Sequence, residues 1–287
     1  MKRPVTSIVS QPNLQPHGGF IPVKDLTEEQ LSDNKDRVSL YTMEQLIDLS
    51  CKMGTLSPQT IGLIVDYLTR TEIALFAGAT PKEAVFNAFI ISVYGAKMAN
   101  KLDEAVELEN KLIEQYSKEK IDYRKIVQVA SELVVFDAVF RAGYYNPDLK
   151  KTKVSTEDRD AVQLMVGGVK LYLIEKEKIA ALGVSFEAKD ADNVAPSDAD
   201  FLTEESLIDL KCSSSKPTSK HTLQLILYYI LGLHEFPNEF QKLKYLKIIN
   251  PRLDKVFSYE VEKLNVEDLK YIEKEIMGYK KSVFDKA

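Results

Sequence analysis

The sequence predicts an α+β fold in which an all-helical N-terminal half precedes a region that combines strands and helices. Three observations support this prediction. Residues 42–143 follow the helical period and contain Ser-Pro and Thr-Pro start signals. Residues 184–261 contain short apolar or alternating runs that are bounded by turn residues. A strongly apolar helix, predicted from Thr218 to Leu233, lies between those runs.

The chain divides by composition into three segments. Residues 1–38 are rich in Pro, Gly, Asn, Gln and Asp, which predicts an extended N-terminal arm. Residues 39–150 form the helical region, and residues 151–287 contain the strands. Helices of the middle segment are predicted at Met43–Met53, Pro58–Ala77, Pro81–Ala99, Leu102–Ser117 and Tyr123–Arg141.

The third segment begins with a predicted helix from Glu157 to Leu182, which Gly183 closes in the C-cap position. A closing helix is predicted from Val266 to Tyr279. The predicted strands are Val184–Lys189, Asp200–Thr203, Leu207–Cys212, Leu243–Ile249 and Val256–Val261.

Composition and missing motifs exclude several classes of protein. The net charge of −5 excludes a bulk polycation, so nucleic-acid binding would depend on local patches. Cys51 and Cys212 are far apart, which argues against zinc and a disulfide scaffold and suits a reducing cytoplasm. No apolar run approaches membrane length, so no membrane partner is expected and the predicted location is cytoplasmic. Walker A, dinucleotide, serine-elbow and H-E-x-x-H signatures are missing.

The predicted hairpin at residues 200–212 brings charged side chains together. Leu207, Asp209 and Lys211 alternate onto one face of their strand. A two-residue loop at 204–205 would place Asp200 directly opposite Asp209. Two carboxylates that close repel each other unless a cation lies between them, and oxygen ligands suit Mg²⁺ or Mn²⁺. Lys211 would then face an anionic substrate. The alternative is a solvated Asp and Lys on an edge strand.

The helix that follows carries polar residues on an otherwise apolar surface. His221, Gln224 and Tyr228 fall at i, i+3 and i+7, which aligns them along one stripe. A buried glutamine needs hydrogen-bond partners, and a site with metal-bound water would supply them. The alternative for Gln224 is a core amide bonded to backbone.

These residues resemble a known family. Asp200, the Asp209-Leu210-Lys211 triplet and Gln224 on the next helix are similar to the motifs of the PD-(D/E)XK nuclease superfamily, over roughly residues 160–250. The resemblance implies a mixed central sheet flanked by helices, with the nuclease core in residues 151–287.

The same resemblance implies a role for each matching residue. Asp200 and Asp209 would bind Mg²⁺ or Mn²⁺, and Leu210 would contribute its backbone carbonyl to the metal. Lys211 would orient or activate the attacking water, and Gln224 would be an additional site residue. Tyr228, His221, Lys220 and Arg252 are expected to contact the substrate. For Arg252 the alternative is a structural pair with a carboxylate such as Asp254.

The chain departs from the family pattern at two points. No proline directly precedes Asp200, because Pro196 lies four residues earlier, and Asp198 competes with Asp200 for the same role. Many members also carry an acid on the helix before the sheet. The candidates for that acid include Asp160 and Glu175, and the sequence does not choose between them.

The expected activity is metal-dependent hydrolysis of phosphodiester bonds in nucleic acid, with DNA as the substrate by the habit of the family. The alternative is a catalytically silent nuclease-fold subunit that binds nucleic acid or a protein of a defence or repair complex. The helical half could mediate homo-oligomer or partner contacts. A third reading is a helical scaffold with an incidental D-x-K triplet, which would show no hairpin.

Overall fold

The computed structural model describes residues 2–31 and 54–286. The chain divides into two compact units. The sheet unit contains Met1–Asp33, Leu173–Lys211 and Ser215–Ala287, and the helical unit contains Asn34–Tyr172 and Cys212–Ser214. Predicted helix Met43–Met53 lies outside the described residues. Within the described ranges, no helix is long and apolar enough to cross a membrane.

Ten α-helices occur in the described residues. They are α1 (Val5–Ile8), α2 (Pro58–Phe76), α3 (Pro81–Met98), α4 (Leu102–Tyr116), α5 (Tyr123–Leu133), α6 (Asp137–Ala142), α7 (Thr156–Lys176), α8 (Ser219–Glu235), α9 (Pro237–Phe240) and α10 (Val266–Tyr271). A π-helical turn, Ile272–Ile276, continues α10.

Six strands of the described residues form one mixed, open sheet. They are β1 (Thr27–Gln30), β2 (Ile179–Phe186), β3 (Ser197–Thr203), β4 (Ser206–Leu210), β5 (Tyr245–Asn250) and β6 (Lys255–Glu260). Their order is β1-β6-β5-β4-β3-β2. Strands β4 and β5 are parallel, and the other neighbouring strands are antiparallel. An α+β fold is therefore confirmed.

Helix α8 connects the two parallel strands and packs on the sheet. Parallel neighbours require a crossover connection, and α8 supplies it between β4 and β5. All residues of α8 from Thr222 to Leu233 are buried. They share one apolar core with Leu207 of β4 and with Leu246 and Ile248 of β5. The helix predicted from Thr218 to Leu233 is thus present and buried, with Thr218 as its N-cap.

The helix start signals of the helical unit are also confirmed. Ser57 accepts a hydrogen bond from the Thr60 amide, and Pro58 begins α2. Thr80 and Glu83 form a capping box at the start of α3. Proline has no N–H group, so at the first helical position it leaves no backbone donor without a partner. The Ser or Thr side chain just before it accepts a hydrogen bond from a backbone amide of the first turn. These local signals therefore fix both helix starts without tertiary information.

The predicted helix Tyr123–Arg141 is divided in the structure. Helix α5 ends at Leu133, a 3₁₀ turn follows at Val134–Phe136, and α6 begins at Asp137. All of the side chains from 133 to 137 are buried. The packing of this buried run, together with the hydrogen bonds of Asp137, fixes a tighter turn that helical periodicity does not reveal.

The predicted helix Glu157–Leu182 is too long, and the predicted C-cap at Gly183 is wrong. Helix α7 ends at Lys176, and β2 already begins at Ile179. Gly183 lies inside β2 with a φ of +92°. The apolar run IAALGVSF fits a buried strand as well as a helix end, and a lone glycine inside such a run often marks a strand irregularity.

The ends of the sheet unit also differ from the predictions. Residues 2–31, predicted as an extended arm, pack in the sheet unit: β1 pairs with β6, and Val5 and Ile8 of α1 are buried in the core that contains α8. The closing helix is shorter than predicted, because α10 ends at Tyr271 and the π-helical turn follows. Sparse apolar residues such as Val5 therefore anchor a segment whose overall composition is that of a loop.

Candidate functional site

The predicted hairpin is present with the predicted loop. Strands β3 and β4 are separated only by Glu204 and Glu205, and the register pairs Phe201 with Ile208 and Leu202 with Leu207. One further step of the same register places Asp200 opposite Asp209. The helical-scaffold alternative is excluded, because it requires that no hairpin form here.

Asp209 lies in the interior at the end of β4. It is 2% exposed, and its Oδ2 is 2.5 Å from the ammonium group of Lys211. Burial raises the pKa of Asp209 to about 6; the charge of Lys211 lowers it and the charge of Asp200 raises it further. The side chain of Lys211 is 24% exposed, whereas that of Asp209 is buried. The pair therefore joins a buried carboxylate to an ammonium group that reaches solvent. This arrangement does not fit a solvated edge strand.

Asp200 is tied to the same strand end. Its Oδ2 accepts a hydrogen bond of 2.6 Å from the backbone amide of Leu210. The bond fixes the Asp200 carboxylate beside the Asp209-Leu210-Lys211 triplet. A metal-binding role for the Leu210 carbonyl, which the family resemblance implies, stays a prediction.

Helix α8 brings Gln224 and Tyr228 to the aspartates. Gln224 is 6% exposed, and its Nε2 donates a 3.0 Å hydrogen bond to the Tyr228 hydroxyl. The pKa of Tyr228 is raised, mainly by burial and then by the charges of Asp209, Asp200 and Asp198, whereas the hydrogen bond from Gln224 lowers it. The Tyr228 hydroxyl therefore lies in the field of the carboxylates, and Gln224 positions it.

His221 and Lys220 lie in the first turn of α8. The Nδ1 of His221 accepts a 3.1 Å hydrogen bond from the amide of Thr218, which makes it part of the helix cap. Burial lowers the pKa of His221 to about 4, and the charges of Lys211 and Lys220 lower it further. His221 is therefore neutral at pH 7 and lies within electrostatic reach of Lys211. Lys220 is exposed.

Arg252 follows β5 at the same sheet edge. Because β4 and β5 are parallel, their carboxyl ends meet at one edge, and the Lys211 amide donates to the Ile249 carbonyl at 2.9 Å. Arg252 lies in the turn Pro251–Leu253 directly after β5. Its Nε is buried and has no hydrogen-bond partner among the described residues. Because the Nε atom is buried, a phosphate at the surface could contact only the other two nitrogens of the guanidinium group.

Gly183 and Asp198 belong to the surroundings of Asp200. The register of β2 and β3 pairs Leu182 with Phe201 and Val184 with Ala199, which places Gly183 beside Asp200. Asp198 lies two residues before Asp200, on the same face of β3. Sequence reasoning assigned Gly183 to a helix end. The signal that could have placed it correctly is its position inside an apolar run directly before the predicted strand.

The helix acid of the family pattern is not identified. Asp160 is 54% exposed and is paired with Arg159 in the helical unit. Glu175 lies near the end of α7, in the sheet unit. Across the described residues, no three or more His, Cys, Asp or Glu side chains form a group that could hold a metal ion.

The donor set nevertheless suits a hard divalent cation. Mg²⁺ keeps several water ligands and is commonly held by one or two carboxylates together with substrate phosphates. Burial is the main cause of the raised pKa of Asp209, and a cation between Asp200 and Asp209 would relieve the repulsion that adds to it. Asp200 and Asp209 thus fit a Mg²⁺ or Mn²⁺ ion.

Comparison of the chain with family models, with curated proteins and with solved structures gives no match in any of the three.

Proposed function

We propose that this protein is a metal-dependent nuclease with a PD-(D/E)XK-type site, which hydrolyses phosphodiester bonds of nucleic acid. The observation that carries the proposal is the pair of facing aspartates with Lys211 2.5 Å from the buried member. A buried carboxylate next to a second one costs stability unless a cation or hydrogen bonds compensate it, and strongly shifted pKa values cluster at functional sites.

Each residue has a defined task in the proposed site. Asp200 and Asp209 would hold Mg²⁺, which supplies Lewis-acid polarisation of a phosphate and lowers the pKa of a bound water. Asp209 must be ionised to bind the cation, so the site is competent above about pH 6. Lys211 provides a fixed positive charge for the developing oxyanion and holds the water in place. Gln224 orients Tyr228 beside the carboxylates.

The proposed substrate is a nucleic-acid strand, with DNA favoured by the resemblance. Arg252, which is partly exposed, would offer the guanidinium nitrogens other than its buried Nε to a backbone phosphate, and the exposed Lys220 lies at the start of α8, where anions are favoured. His221 is neutral at pH 7, so it would contribute hydrogen bonds and no charge. Substitution of Arg252 should therefore weaken substrate binding more than substitution of His221.

The test is a cleavage assay with linear and circular DNA, single and double stranded, and with RNA, in Mg²⁺ and in Mn²⁺. Wild type should cleave at least one substrate, and Asp209→Asn and Lys211→Ala should each abolish the cleavage. Glu204→Gln and Lys244→Ala are matched controls, because they remove exposed charges from the turn of the hairpin and from the residue before β5. Equal loss in the controls would contradict the proposal.

The second candidate is a silent nuclease-fold subunit. The lack of a third acidic ligand among the described residues favours it. Exposed apolar side chains on the helical unit, including Phe76, Met98 and Tyr144, would suit a protein partner or a second copy. Such a subunit should neither cleave any substrate nor bind Mn²⁺. Binding of Mn²⁺ that depends on Asp209 would decide for the enzyme.

A further inference from the structure

The C-terminal end of α8 borders a cavity of about 320 Å³ in the sheet unit. The cavity is lined by the end of β2 and the loop after it, by the last turn of α8 with Phe236, and by Tyr279. Its volume falls within the range of small-molecule sites. The lining residues that the structure describes include none of those proposed for the nuclease site. Gln224 and His234 lie about 15 Å apart along the axis of α8, so the two sites are separate.

Two carboxylates at the cavity lack a cationic partner. Asp190 and Glu235 form no ion pair in the part of the chain that the structure describes. The other acid at the wall, Glu187, is paired with Lys189. Carboxylates that lie close together without a counter-ion favour a cationic ligand.

The carboxylate of Glu235 is fixed in position by the loop after β2. Its Oε2 accepts a hydrogen bond from the Glu187 amide at 2.9 Å, and its Oε1 accepts one from the Ala188 amide at 2.8 Å. The ammonium group of Lys2 donates to the Ala188 carbonyl at 2.6 Å and not to this carboxylate. Each carboxylate oxygen keeps a further lone pair. Glu235 is therefore held in place and can still accept a hydrogen bond from a ligand.

The hydroxyl group of Tyr279 is an independent sign of a ligand. The Tyr279 side chain is 5% exposed and lines the cavity, and its hydroxyl makes no hydrogen bond within the described residues. The oxygen is not sealed from solvent, so it opens into the cavity that the ring lines. Burial raises the pKa of this hydroxyl, and the charges of Glu235, Asp190 and Glu273 raise it further. The hydroxyl and the two unpaired carboxylates therefore face the same space.

The ring of Tyr279 is held by a second buried pair. It stacks on the ring of His234, with centroids 3.6 Å apart and planes at 1°. The Nε2 of His234 lies 2.7 Å from the Oε1 of Glu273, which is fully buried. An imidazolium beside a carboxylate is neutral as a pair, and a neutral imidazole carries no charge. His234 therefore adds no net positive charge to the cavity, while a buried phenol normally has a hydrogen-bond partner.

An organic amine suits these features better than a metal ion does. In the described ranges, no three or more His, Cys, Asp or Glu side chains form a group that could hold a metal ion. An ammonium group has three N–H donors, which match two carboxylates and a hydroxyl. Phe236 gives the cavity an aromatic wall, and cations are attracted to aromatic faces. Helix α8 has 17 residues, and the negative end of its dipole lies here.

We propose that this cavity binds a small aliphatic amine. The ammonium group of the ligand lies between the carboxylates of Asp190 and Glu235 and donates a hydrogen bond to the Tyr279 hydroxyl. The hydrocarbon part of the ligand packs on Phe236. This binding site goes beyond the proposed nuclease activity and does not depend on Asp209.

The test is calorimetric titration of 1,4-diaminobutane and of 1-aminobutane into the full chain at pH 7.5, at physiological salt and in EDTA. At least one of the two amines should bind with a dissociation constant below about 1 mM. 1-Butanol, which lacks the charge, and tetramethylammonium, which lacks N–H groups, should each bind at least about tenfold more weakly.

Three substitutions locate the site. Glu235→Gln should weaken amine binding at least about tenfold. Asp190→Asn and Tyr279→Phe should each weaken it at least about threefold. Asp190 is exposed and Tyr279→Phe keeps the ring, so these two variants keep the test decisive even if Glu235→Gln disturbs the loop.

Asp192→Asn is the matched control for Asp190→Asn. Asp192 is exposed, pairs with Lys280 at 3.6 Å and does not line the cavity. The two substitutions remove the same charge from the same loop, so the control should bind the amine as wild type does. Equal weakening by both would overturn the proposal, because the amine would then be attracted only by the general surface charge.

Three further results would overturn the proposal. They are the absence of binding of either amine at about 10 mM, equal affinity for 1-butanol or tetramethylammonium, and binding that Tyr279→Phe leaves unchanged. The nuclease proposal fails or holds separately, since Asp209→Asn should bind the amine as wild type does. A protein that binds the amine but cleaves nothing would remove only the nuclease proposal, and one that cleaves DNA but binds no amine would remove only this one.

Discussion

Each of the two units contains a buried aspartate, and the two are held in opposite ways. Asp137 in the helical unit is 1% exposed and accepts hydrogen bonds from the hydroxyls of Tyr67, at 2.5 Å, and Ser92. Arg141 lies 3.5 Å away. Asp209 in the sheet unit is equally buried, but its neighbours are the ammonium of Lys211 and a second carboxylate, Asp200.

The difference is the one expected between a structural acid and the metal ligand that we propose. Burial raises the pKa of both carboxyls. At Asp137 the remaining influences all lower the pKa, because hydroxyl and guanidinium groups stabilise the ionised form. At Asp209 a nearby acid works in the other direction. Asp137 therefore joins its helices, whereas the cation that we propose at Asp209 would relieve its repulsion with Asp200.

The largest expected effect is on activity. Asp209→Asn removes a metal ligand but keeps the shape of the side chain, so cleavage should fall by at least about 10³-fold while the protein stays folded. The measurement is the initial cleavage rate of the substrate that wild type cleaves best. Activity within tenfold of wild type would show that Asp209 is not a ligand.

The next effect is on stability and concerns Asp137. Asp137→Ala leaves the buried hydroxyls of Tyr67 and Ser92 without their acceptor, so it should lower the free energy of unfolding by about 3–5 kcal/mol. Urea denaturation followed by circular dichroism measures this. Asp209→Asn is the matched comparison and should not destabilise metal-free protein at pH 7.5; a loss like that of Asp137→Ala would make Asp209 a structural acid as well.

The third effect is on pH dependence. Folded Asp209, with its pKa of about 6, keeps a proton that the unfolded chain releases near pH 3.8, so metal-free wild type loses stability as the pH rises through this window. The cost is about 3 kcal/mol above pH 7 and disappears near pH 4. Asp209→Asn should therefore be more stable than wild type at pH 7.5, by up to about 3 kcal/mol, and equal to it at pH 4. A difference that is independent of pH would contradict this account.

The smallest expected effect is the loss of stability when either of two buried tyrosines is replaced by phenylalanine. Tyr67→Phe removes a donor to Asp137 and should cost about 2–3 kcal/mol, since that bond involves a charged group. Tyr228→Phe removes only the acceptor of Gln224 and should cost about 1 kcal/mol. The two free energies of unfolding, measured side by side, rank the two networks. The reverse order would mean that the Tyr228 network has a larger structural part.

The sequence predicted features that local chemistry determines. Pro58 after Ser57 and Pro81 after Thr80 place two helix starts, and period-two alternation with a two-residue loop sets the hairpin register that brings Asp200 to Asp209. These signals depend only on neighbours in the chain. The alignment of Gln224 with Tyr228 also follows from helical spacing alone.

The sequence did not predict features that depend on distant packing. Gly183 looks like a helix cap until β2 pairs with β3. The break before Asp137 depends on Tyr67 and Ser92, which are more than forty residues away in the chain. Strand β1 depends on β6, at the other end of the chain. The burial of the Arg252 Nε, which has no hydrogen-bond partner in the part of the chain that the structure describes, becomes visible only when the surrounding atoms are in place.

The most direct test of the central claim is calorimetric titration of Mn²⁺ into metal-free protein at pH 7.5. Wild type and the control Glu204→Gln should bind with the same affinity, because Glu204 lies at the far end of the hairpin. Asp209→Asn should lose that binding, and wild type should bind Mn²⁺ about tenfold more weakly at pH 5, where most of Asp209 is protonated. Absence of binding to wild type at millimolar Mn²⁺, or equal binding to Asp209→Asn, would contradict the assignment of Asp200 and Asp209 as a metal site.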